Sequence, residues 1–393
     1  MGSADEVIRG FFRDQANGLR GEIWGLARAI GEHPELGYQE HFAVEQLTAF
    51  LRRHGFHVDQ RLGGVETAFL ARFKGNRPGA RIAFLAEYDA LPDVGHGCGH
   101  HLIGAASAGA AAVLSKSLEM PGEVLVIGTP AEETSGAKVI LVEKGIFHGI
   151  DAVMMFHPGS QNVPEISTLA LDALEFTFTG RAAHAAAASH YGINALDALI
   201  NFFIGVNALK QQLGDDARLN GIITEGGTTP NIIPERAVAR FYLRASKRKT
   251  LDNLREQVIR CAEGAAAMVS AQVNWRKFEF SYDEMRTNSA LAECFRHNLE
   301  VLGVKRIAPP QMAMGSVDMG NVSRVVPAIH PYLALGNGTE VPHTREFARV
   351  ALSSEGERLL NLAVQALALT GWDVLNDAKL RQRIKRDFKR KEG

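Results

Sequence analysis

The sequence predicts an α/β fold with a mixed, mostly parallel sheet flanked by helices, and a smaller α+β domain inserted into it. The first and last thirds alternate apolar strand patterns with amphipathic helix patterns, which is typical of a sheet covered by helices. The middle third has the order strand, helix, strand, strand, helix, strand, as in a ferredoxin-like domain. We therefore expect a larger domain at residues 1–170 and 286–393, and an inserted domain at 171–285.

The first third predicts helices separated by apolar strands. Amphipathic periodicity indicates helices over residues 4–31 and 38–54, and small residues indicate another over about 99–117. Each apolar run between them has the length of a buried strand. The expected strands are 66–73, 81–91, 122–130 and 151–158.

The middle of the chain changes pattern. Residues 173–180 alternate apolar and polar side chains, as a strand with one exposed face does. The other elements expected in this domain are a helix at 193–213, strands at 220–226 and 236–245, a helix at 250–270 and a strand at 271–282. The last third predicts a helix at 289–302, a strand at 329–335 and a helix at 346–370.

Composition limits the class of protein. Hydrophobic residues make up 46% of the 393 residues and charged residues 22%, as in globular proteins. Lys+Arg number 43 and Asp+Glu 44, so we expect no nucleic-acid partner. No apolar run approaches the ~20 residues that span a bilayer, and the three cysteines suggest no disulfide framework. These observations predict a cytoplasmic enzyme with no membrane partner. The basic stretch 379–393 is expected to be a solvated helix end, with an anionic partner as the alternative.

Metal-binding residue types stand in clusters at or near the ends of predicted strands. The clusters are HGCGHH (96–101), AEET (131–134), His157 and HTREF (343–347). In open α/β sheets, ligand sites form beyond the carboxyl ends of the strands. Because thiolate, imidazole and carboxylate groups are usual ligands of zinc-like ions, the sequence favours a metal site there.

The spacing within two clusters suits this chemistry. Cys98 and His100 are two residues apart, and the glycines beside Cys98 permit a tight turn. The adjacent glutamates Glu132 and Glu133 repel each other unless their environments differ, which favours one on metal and one as a general base. Taken alone, a cysteine is more often a small core residue and a Glu-Glu pair a solvated helix start.

The chain resembles peptidase family M20. The resemblance is strongest to its amidohydrolase branch, which includes p-aminobenzoyl-glutamate hydrolases, indole-acetyl-amino-acid hydrolases and a dipeptidase subgroup. It covers nearly the whole chain and rests on HPELGYQE (33–40), EYDALP (87–92), GHGCGHHLIG (95–104), PAEE (130–133), FHP (156–158), GRAAH (180–184), TPNIIPE (229–235), GSVDMGNVS (315–323) and HTREF (343–347).

This resemblance implies a zinc-peptidase-like catalytic domain and an inserted lid and dimerisation domain. It implies two divalent metal ions per subunit, Zn²⁺ or Mn²⁺, with Co²⁺ as an alternative. Glu132 would be the general base that activates the attacking water. The implied metal ligands are Cys98 (bridging), His100, Glu133, His157 and His343.

The resemblance also implies roles for three further residues. Asp89 would orient a metal ligand. His184 would stabilise the carbonyl oxygen of the substrate, from the neighbouring subunit of a homodimer, and Asn231 would bind the substrate carboxylate. The plain alternatives are an exposed lid histidine for His184 and a turn-forming asparagine for Asn231.

The chain departs from the family pattern at two positions. Many relatives have a histidine two positions before the aspartate that Asp89 matches, whereas this chain has Glu87, which is either a ligand or a buried, paired residue. His101 is displaced from the second histidine of the branch motif, so we assign it no metal.

The leading hypothesis is a metal-dependent amidohydrolase. Its substrate would be a small N-acyl amino acid or dipeptide with a free carboxylate. The alternatives are a hydrolase of another C–N or ester bond, and a non-catalytic binding protein on the same scaffold.

Overall fold

The computed structural model describes residues 4–313 and 315–392, and the side chains of 6–313 and 315–390. It divides into two compact units. One is formed by the described residues of Met1–Ser167, Met285–Ala313 and Asp318–Gly393, the other by those of Thr168–Glu284 and Met314–Val317. The roles of these units as catalytic and lid domains stay predictions.

The strands of the described residues are β1 (His57–Gln60), β2 (Phe69–Lys74), β3 (Arg77–Ala86), β4 (Pro121–Gly128), β5 (Ala152–Met154), β6 (His157–Gly159), β7 (Ile166–Ser167), β8 (Ala170–Thr179), β9 (Ala217–Glu225), β10 (Arg236–Ala245), β11 (Gln272–Lys277), β12 (Gln311–Met312), β13 (Ala328–Ile329) and β14 (Tyr332–Ala334). The α-helices of the same residues are α1 (Ala4–Gly31), α2 (His41–Arg53), α3 (His100–Leu114), α4 (Glu132–Ser135), α5 (Ala137–Glu143), α6 (Ala195–Lys210), α7 (Arg248–Met268), α8 (Ser289–Val301), α9 (Met319–Ser323), α10 (Arg345–Ala351), α11 (Ser354–Asn376) and α12 (Ala378–Glu392).

The main sheet of the first unit has six strands in the order β1-β2-β4-β3-β5-β13. The pairs β4/β3, β3/β5 and β5/β13 are parallel, and β1/β2 and β2/β4 are antiparallel. The predicted mixed, mostly parallel sheet is therefore confirmed. Helix α3 is buried along its whole length and packs against α1 and α11, because its many small residues let those helices approach.

The second unit contains an antiparallel sheet in the order β11-β8-β10-β9, with α6 and α7 packed on it. Its core includes the ring cluster Phe176, Phe202 and Phe241. The order of its elements is the one that the sequence predicts for a ferredoxin-like domain.

Several element boundaries differ from the prediction. The single helix 346–370 is wrong, because α10 ends at Ala351 and the Ser353 hydroxyl then caps α11 by accepting a hydrogen bond from the Glu355 amide (3.2 Å). The strand expected to reach residue 91 ends at Ala86, where the chain turns out of the sheet. The expected strands 151–158 and 329–335 are each two short strands, paired as β5/β13 and β6/β14.

The basic stretch at the end of the chain forms most of α12, and Gly393 lies outside the described residues. Within the described part of the chain, no helix is long and apolar enough to span a bilayer.

Candidate metal centre

The sheet places the functional side chains at one edge. Strands β4, β3 and β5 are parallel neighbours, so their carboxyl ends lie side by side. Asp89 follows β3, the glutamates Glu132 and Glu133 follow β4, and His157 follows β5. This is the edge at which the sequence predicts that the clusters converge.

Six of the predicted site residues meet there. Their ligand atoms form three overlapping groups, and within each group these atoms lie within 4.8 Å of one another. The groups are Cys98, His100 and His157; Cys98, Glu133 and His343; and His100, Glu132 and Glu133. Cys98, His100 and Glu133 each belong to two groups, so the three groups form one continuous cluster.

Local backbone geometry sets two of these positions. Gly99 has φ +75°, which favours glycine, and this left-handed residue starts α3 so that His100 is its first residue. Ala131 has φ +63° although it carries a Cβ, and it starts the short helix α4 with Glu132 and Glu133. His343 also has a positive φ, and its backbone amide donates to Gly97 O (3.0 Å).

Hydrogen bonds select the free nitrogen of two histidines. The His100 Nδ1 atom lies 2.9 Å from Asp89 Oδ1, and His157 Nδ1 lies 2.7 Å from Pro158 O. An ionised carboxylate and a carbonyl can only accept, so each Nδ1 carries the proton. Each ring therefore presents Nε2 as its metal-binding atom.

The second oxygen of Asp89 binds the turn that carries Glu132 and Glu133, which we call the glutamate turn. Asp89 Oδ2 accepts a hydrogen bond from the Glu133 backbone amide (2.9 Å). Burial opposes ionisation of Asp89, but the charge and hydrogen bond of His100 and the hydrogen bond from the Glu133 amide together outweigh burial and lower the pKa of Asp89. Asp89 thus contacts an imidazole and the backbone of a glutamate at once.

Burial and the neighbouring carboxylates change the proton affinity of the site. Burial, and then the charges of Glu87 and Asp318, raise the pKa of Glu132 well above its usual value. Burial and the adjacent Glu133 raise the pKa of the Cys98 thiol. A cation bound beside Glu132 and Cys98 would lower both pKa values, because it would stabilise the ionised forms of these groups.

The donor set fits a divalent cation. Among the described side chains, His100 Nε2 and Glu133 Oε1 are buried and have no hydrogen-bond partner. Buried polar atoms are normally satisfied, so two such atoms 3.8 Å apart indicate a missing partner. Thiol, imidazole and carboxylate donors together suit zinc or a related transition metal.

A buried lysine lies behind the cluster and was missed by the sequence analysis. Lys138 Nζ donates to Glu87 Oε1 (2.7 Å) and Asp318 Oδ1 (2.6 Å), and all three side chains are buried. Burial opposes the charge of Glu87, but Lys138 together with His100 and other nearby histidines outweighs burial and lowers the pKa of Glu87 to about 2. Within the described residues Glu87 belongs to none of the metal-type groups. Its Oε1 is paired with Lys138, whereas its Oε2 is buried without a hydrogen-bond partner and lies 3.6 Å from His100 Nε2. Asp318 lies in the GSVDMGNVS motif, the one signal that could have found this network.

The remaining predicted residues lie elsewhere. His101 is buried against the His96 ring (4.9 Å between centroids) and is in none of the metal-type groups of the described chain. The structure places His184 and Asn231 in the second unit, where both are exposed. There the Ala185 amide donates to Asn231 O (3.0 Å).

The two residues of the second unit present donors. His184 Nδ1 accepts hydrogen bonds from the backbone amides of Ala186 (3.2 Å) and Ala187 (3.1 Å), so a neutral ring carries its proton on Nε2. Asn231 Oδ1 accepts from the Thr229 hydroxyl (2.7 Å), which turns the amide nitrogen toward other acceptors.

Known proteins resemble the chain over most of its length. Residues 83–366 match the family described as Peptidase family M20/M25/M40. The Xaa-Arg dipeptidase of Mus musculus is 36% identical over 93% of this chain and 89% of its own length. One of the polypeptides of the p-aminobenzoyl-glutamate hydrolase of Escherichia coli K12 is 33% identical over 69% of this chain and 60% of its own length.

The fold is also that of a solved structure. A dinuclear metal binding peptidase from Bacillus subtilis, described as a member of family M20, superimposes with a TM-score of 0.71. It is 22% identical, and the match covers 91% of this chain and 100% of that one.

Proposed function

Because the chain belongs to peptidase family M20/M25/M40, we propose that it is a metal-dependent hydrolase that cleaves the amide bond of small dipeptides or N-acyl amino acids. The observation that carries the proposal is the cluster at the sheet edge. Five side chains of metal-ligand type lie there together with Glu132, a half-buried carboxyl group that has a raised pKa. Relatives that match over two thirds or more of the chain are named as a dipeptidase and a p-aminobenzoyl-glutamate hydrolase.

In this proposal Cys98, His100, Glu133, His157 and His343 would hold the ions. Two divalent cations bound there, Zn²⁺ or Mn²⁺ with Co²⁺ as an alternative, would polarise the scissile carbonyl and lower the pKa of a water. Asp89 keeps the proton on His100 Nδ1 and fixes the backbone of Glu133.

Glu132 is the general base of the proposed reaction. It accepts a proton from the attacking water and delivers that proton to the amine that leaves when the C–N bond breaks. A raised pKa suits both halves of this transfer, because a group of very low pKa would hold the proton too weakly to return it.

The second unit supplies two substrate contacts in the proposal. The Nε2–H of His184 donates to the carbonyl oxygen as negative charge grows on it. The amide nitrogen of Asn231 donates to the free carboxylate of the substrate. A neutral histidine donor of this kind stabilises the oxyanion without taking up a proton first.

We also propose that the protein is a homodimer in which His184 acts on the active site of the partner. Strand β9 is an edge strand and exposes Ile222 and Ile223, and helix α6 exposes Ile200 and Ile204. An edge strand with apolar side chains is prone to pair with another chain, and two-fold pairing is the commonest solution.

We place the enzyme in the cytoplasm.

The activity is tested by measuring amine release from a panel of compounds. The panel contains dipeptides with basic and neutral second residues, N-acyl amino acids and p-aminobenzoyl-glutamate. The enzyme is loaded with Zn²⁺ or Mn²⁺, and Glu132→Gln serves as the blank. Metal-dependent release that is absent from the blank supports the proposal, and a preference for Xaa-Arg would align the chain with the mouse relative. Two bound metals with no release from any compound would favour a binding protein.

The action of His184 in trans is tested by mixing two inactive variants, His184→Ala and Glu132→Gln. If each site takes His184 from its partner, half of the random dimers are mixed and each has one complete site. Activity would then recover to about a quarter of the wild-type value. No recovery after verified subunit exchange would contradict action in trans.

A further inference from the structure

The segment Glu35–Glu40, within the HPELGYQE motif, contacts two turns of the candidate metal centre. The Ala90 amide, next to Asp89, donates to Glu35 O (2.8 Å). On the other side, Glu40 Oε1 accepts a hydrogen bond from the Ala131 amide (2.8 Å). We call residues 35–40 the bracket segment.

Contacts along the bracket segment fix it against the glutamate turn. The Tyr38 hydroxyl donates to Ser135 O, at the end of α4. Gly37 packs so closely that an added Cβ would lie 2.6 Å from Thr134 Oγ1 and 2.9 Å from the Ala131 Cβ. A side chain at residue 37 would therefore push the turn away, which explains a glycine at this position.

The bracket segment is itself held in place. The Glu35 carboxylate accepts hydrogen bonds from the amides of Phe42 (2.9 Å) and Ala43 (3.0 Å), the first turn of α2. These bonds satisfy orphan donors of the helix and fix the bend that leads into it. Glu40, the residue before α2, is completely buried, so its carboxyl group does not contact solvent.

Glu40 acts at the point where the turn needs support. Ala131 is left-handed, a conformation that is strained for a residue with a Cβ, and it is completely buried. Without Glu40 its amide would lose the acceptor that it has in the structure, and a buried donor without an acceptor is strongly unfavourable. The next two residues are Glu132 and Glu133, so the direction of both carboxylates depends on this peptide.

We propose that Glu40 is a positioning residue that holds the left-handed Ala131 turn and thereby aims Glu132 and Glu133 into the metal centre. This inference rests on the proposed function of those two glutamates. It assigns a role to the HPELGYQE motif, ninety-one positions from the turn that it supports. The required property of residue 40 is an acceptor oxygen at this reach, and a negative charge is secondary, since burial raises the pKa of Glu40 to about 7.

The test compares Glu40→Gln with Glu40→Leu in the full chain. Glutamine keeps an acceptor oxygen, whereas leucine fills the space without one. The readouts are the Co²⁺ absorption spectrum, the Co²⁺ dissociation constants and kcat against KM. We expect Glu40→Leu to weaken Co²⁺ binding by about 10–100-fold, to change the spectrum and to lower kcat more than it raises KM, and Glu40→Gln to restore wild-type values. Glu45→Leu, an exposed glutamate on α2, is the matched control.

Two results would overturn the proposal. One is a folded Glu40→Leu variant with wild-type Co²⁺ spectrum and affinity. The other is equal impairment of the Gln and Leu variants, which would assign the effect to charge or packing. The Co²⁺ readout needs no substrate, so a wild-type enzyme that cleaves no compound of the panel contradicts the proposed function and leaves this test intact.

A second variant keeps the proposal open to refutation if Glu40→Leu does not fold. Ala131→Gly removes the strain of the left-handed residue, so we expect an equal or higher Tm. It also loosens the turn, so the proposal expects lower kcat and a changed Co²⁺ spectrum. A higher Tm together with unchanged kcat and spectrum would show that the aim of the glutamates does not depend on this turn.

Discussion

The Asp89 carboxylate lies 2.9 Å from His100 Nδ1 through one oxygen and 2.9 Å from the Glu133 amide through the other. One buried side chain thus fixes the orientation of an imidazole on α3 and of a glutamate on α4. Since these come from different strand–helix connections, Asp89 links two parts of the metal centre that are distant in sequence.

Removal of this link should weaken metal binding without removing a ligand atom. We expect Asp89→Ala to raise the Zn²⁺ dissociation constant by about 10–100-fold, because the His100 ring loses its fixed tautomer. Competition with a chromophoric chelator measures this constant. Asp93→Asn, in the same loop, is the control. Asparagine is used there because residue 93 has a positive φ, which asparagine adopts more readily than alanine. Equal Zn²⁺ affinity of Asp89→Ala and wild type would contradict the role.

Cys98 should set the preference among metals. A thiolate favours Zn²⁺, whereas oxygen ligands suit Mn²⁺. We expect Cys98→Ser to lose more affinity for Zn²⁺ than for Mn²⁺, so that the ratio of the two dissociation constants shifts toward Mn²⁺. Isothermal titration with each metal gives the ratio, and Cys261→Ser, in the second unit, is the control. A parallel loss for both metals would argue against sulfur ligation.

Lys138 should contribute strongly to the stability of the fold. Its ammonium group is the shared partner of Glu87 and Asp318 inside the protein, and its removal leaves buried carboxylate charge uncompensated. We expect Lys138→Met to lower the free energy of unfolding by about 3–5 kcal/mol at pH 7, as measured by urea unfolding. Adding Glu87→Gln and Asp318→Asn should recover part of that loss. A loss under about 1 kcal/mol would show that water or rearrangement screens these carboxylates.

The sequence alone predicted the sheet edge because each cluster follows a recognisable strand. Cys98, His100, Glu132, Glu133 and His157 carry ligand chemistry at positions that the strand order brings together. Lys138 gave no such signal, since a lysine in a helix pattern is normally exposed and its burial depends on carboxylates 51 and 180 positions away. The role of Glu40 was not predictable either, because its partner is a backbone amide 91 positions away, and an amide is present at almost every residue.

The fold shows the same division between local and distant information. The order of elements in the second unit was predictable from alternation and helix periodicity, which are local. The break between α10 and α11 was not predicted, because the apolar pattern continues across Ser353 and only its hydroxyl cap reveals the boundary. The short strand β1 (His57–Gln60) has a polar sequence and is formed by pairing with β2.

Asp172 should give the second unit a marked loss of stability in acid. It is completely buried, and it accepts hydrogen bonds from Arg248 (2.9 Å) and Arg255 (2.8 Å). Burial opposes its ionisation, but the Ser281 hydrogen bond and then Arg248 outweigh burial and lower its pKa. A carboxyl group whose pKa is lower in the folded than in the unfolded state stabilises the fold above the unfolded value, about 3.9, and this stabilisation is lost as pH falls through the folded value.

The variant Asp172→Asn should therefore be less stable than wild type at pH 7 by about 1–3 kcal/mol, because two half-buried guanidinium groups lose an ionised acceptor. The loss is limited because Arg248 keeps Asp283 and Arg255 keeps Asp252 as partners. This difference should narrow as the pH falls below about 4, where Asp172 takes up a proton in the unfolded chain before it does so in the folded protein. Trp275 on β11 is the tryptophan of this unit, so its fluorescence in a Trp24→Phe, Trp372→Phe background reports urea unfolding of the second unit. The control Asp216→Asn changes an exposed carboxylate of the same unit and should shift stability by less than about 0.5 kcal/mol at pH 7. A difference between wild type and Asp172→Asn that stays constant from pH 7 to 3 would mean that the charge of Asp172 does not stabilise this unit.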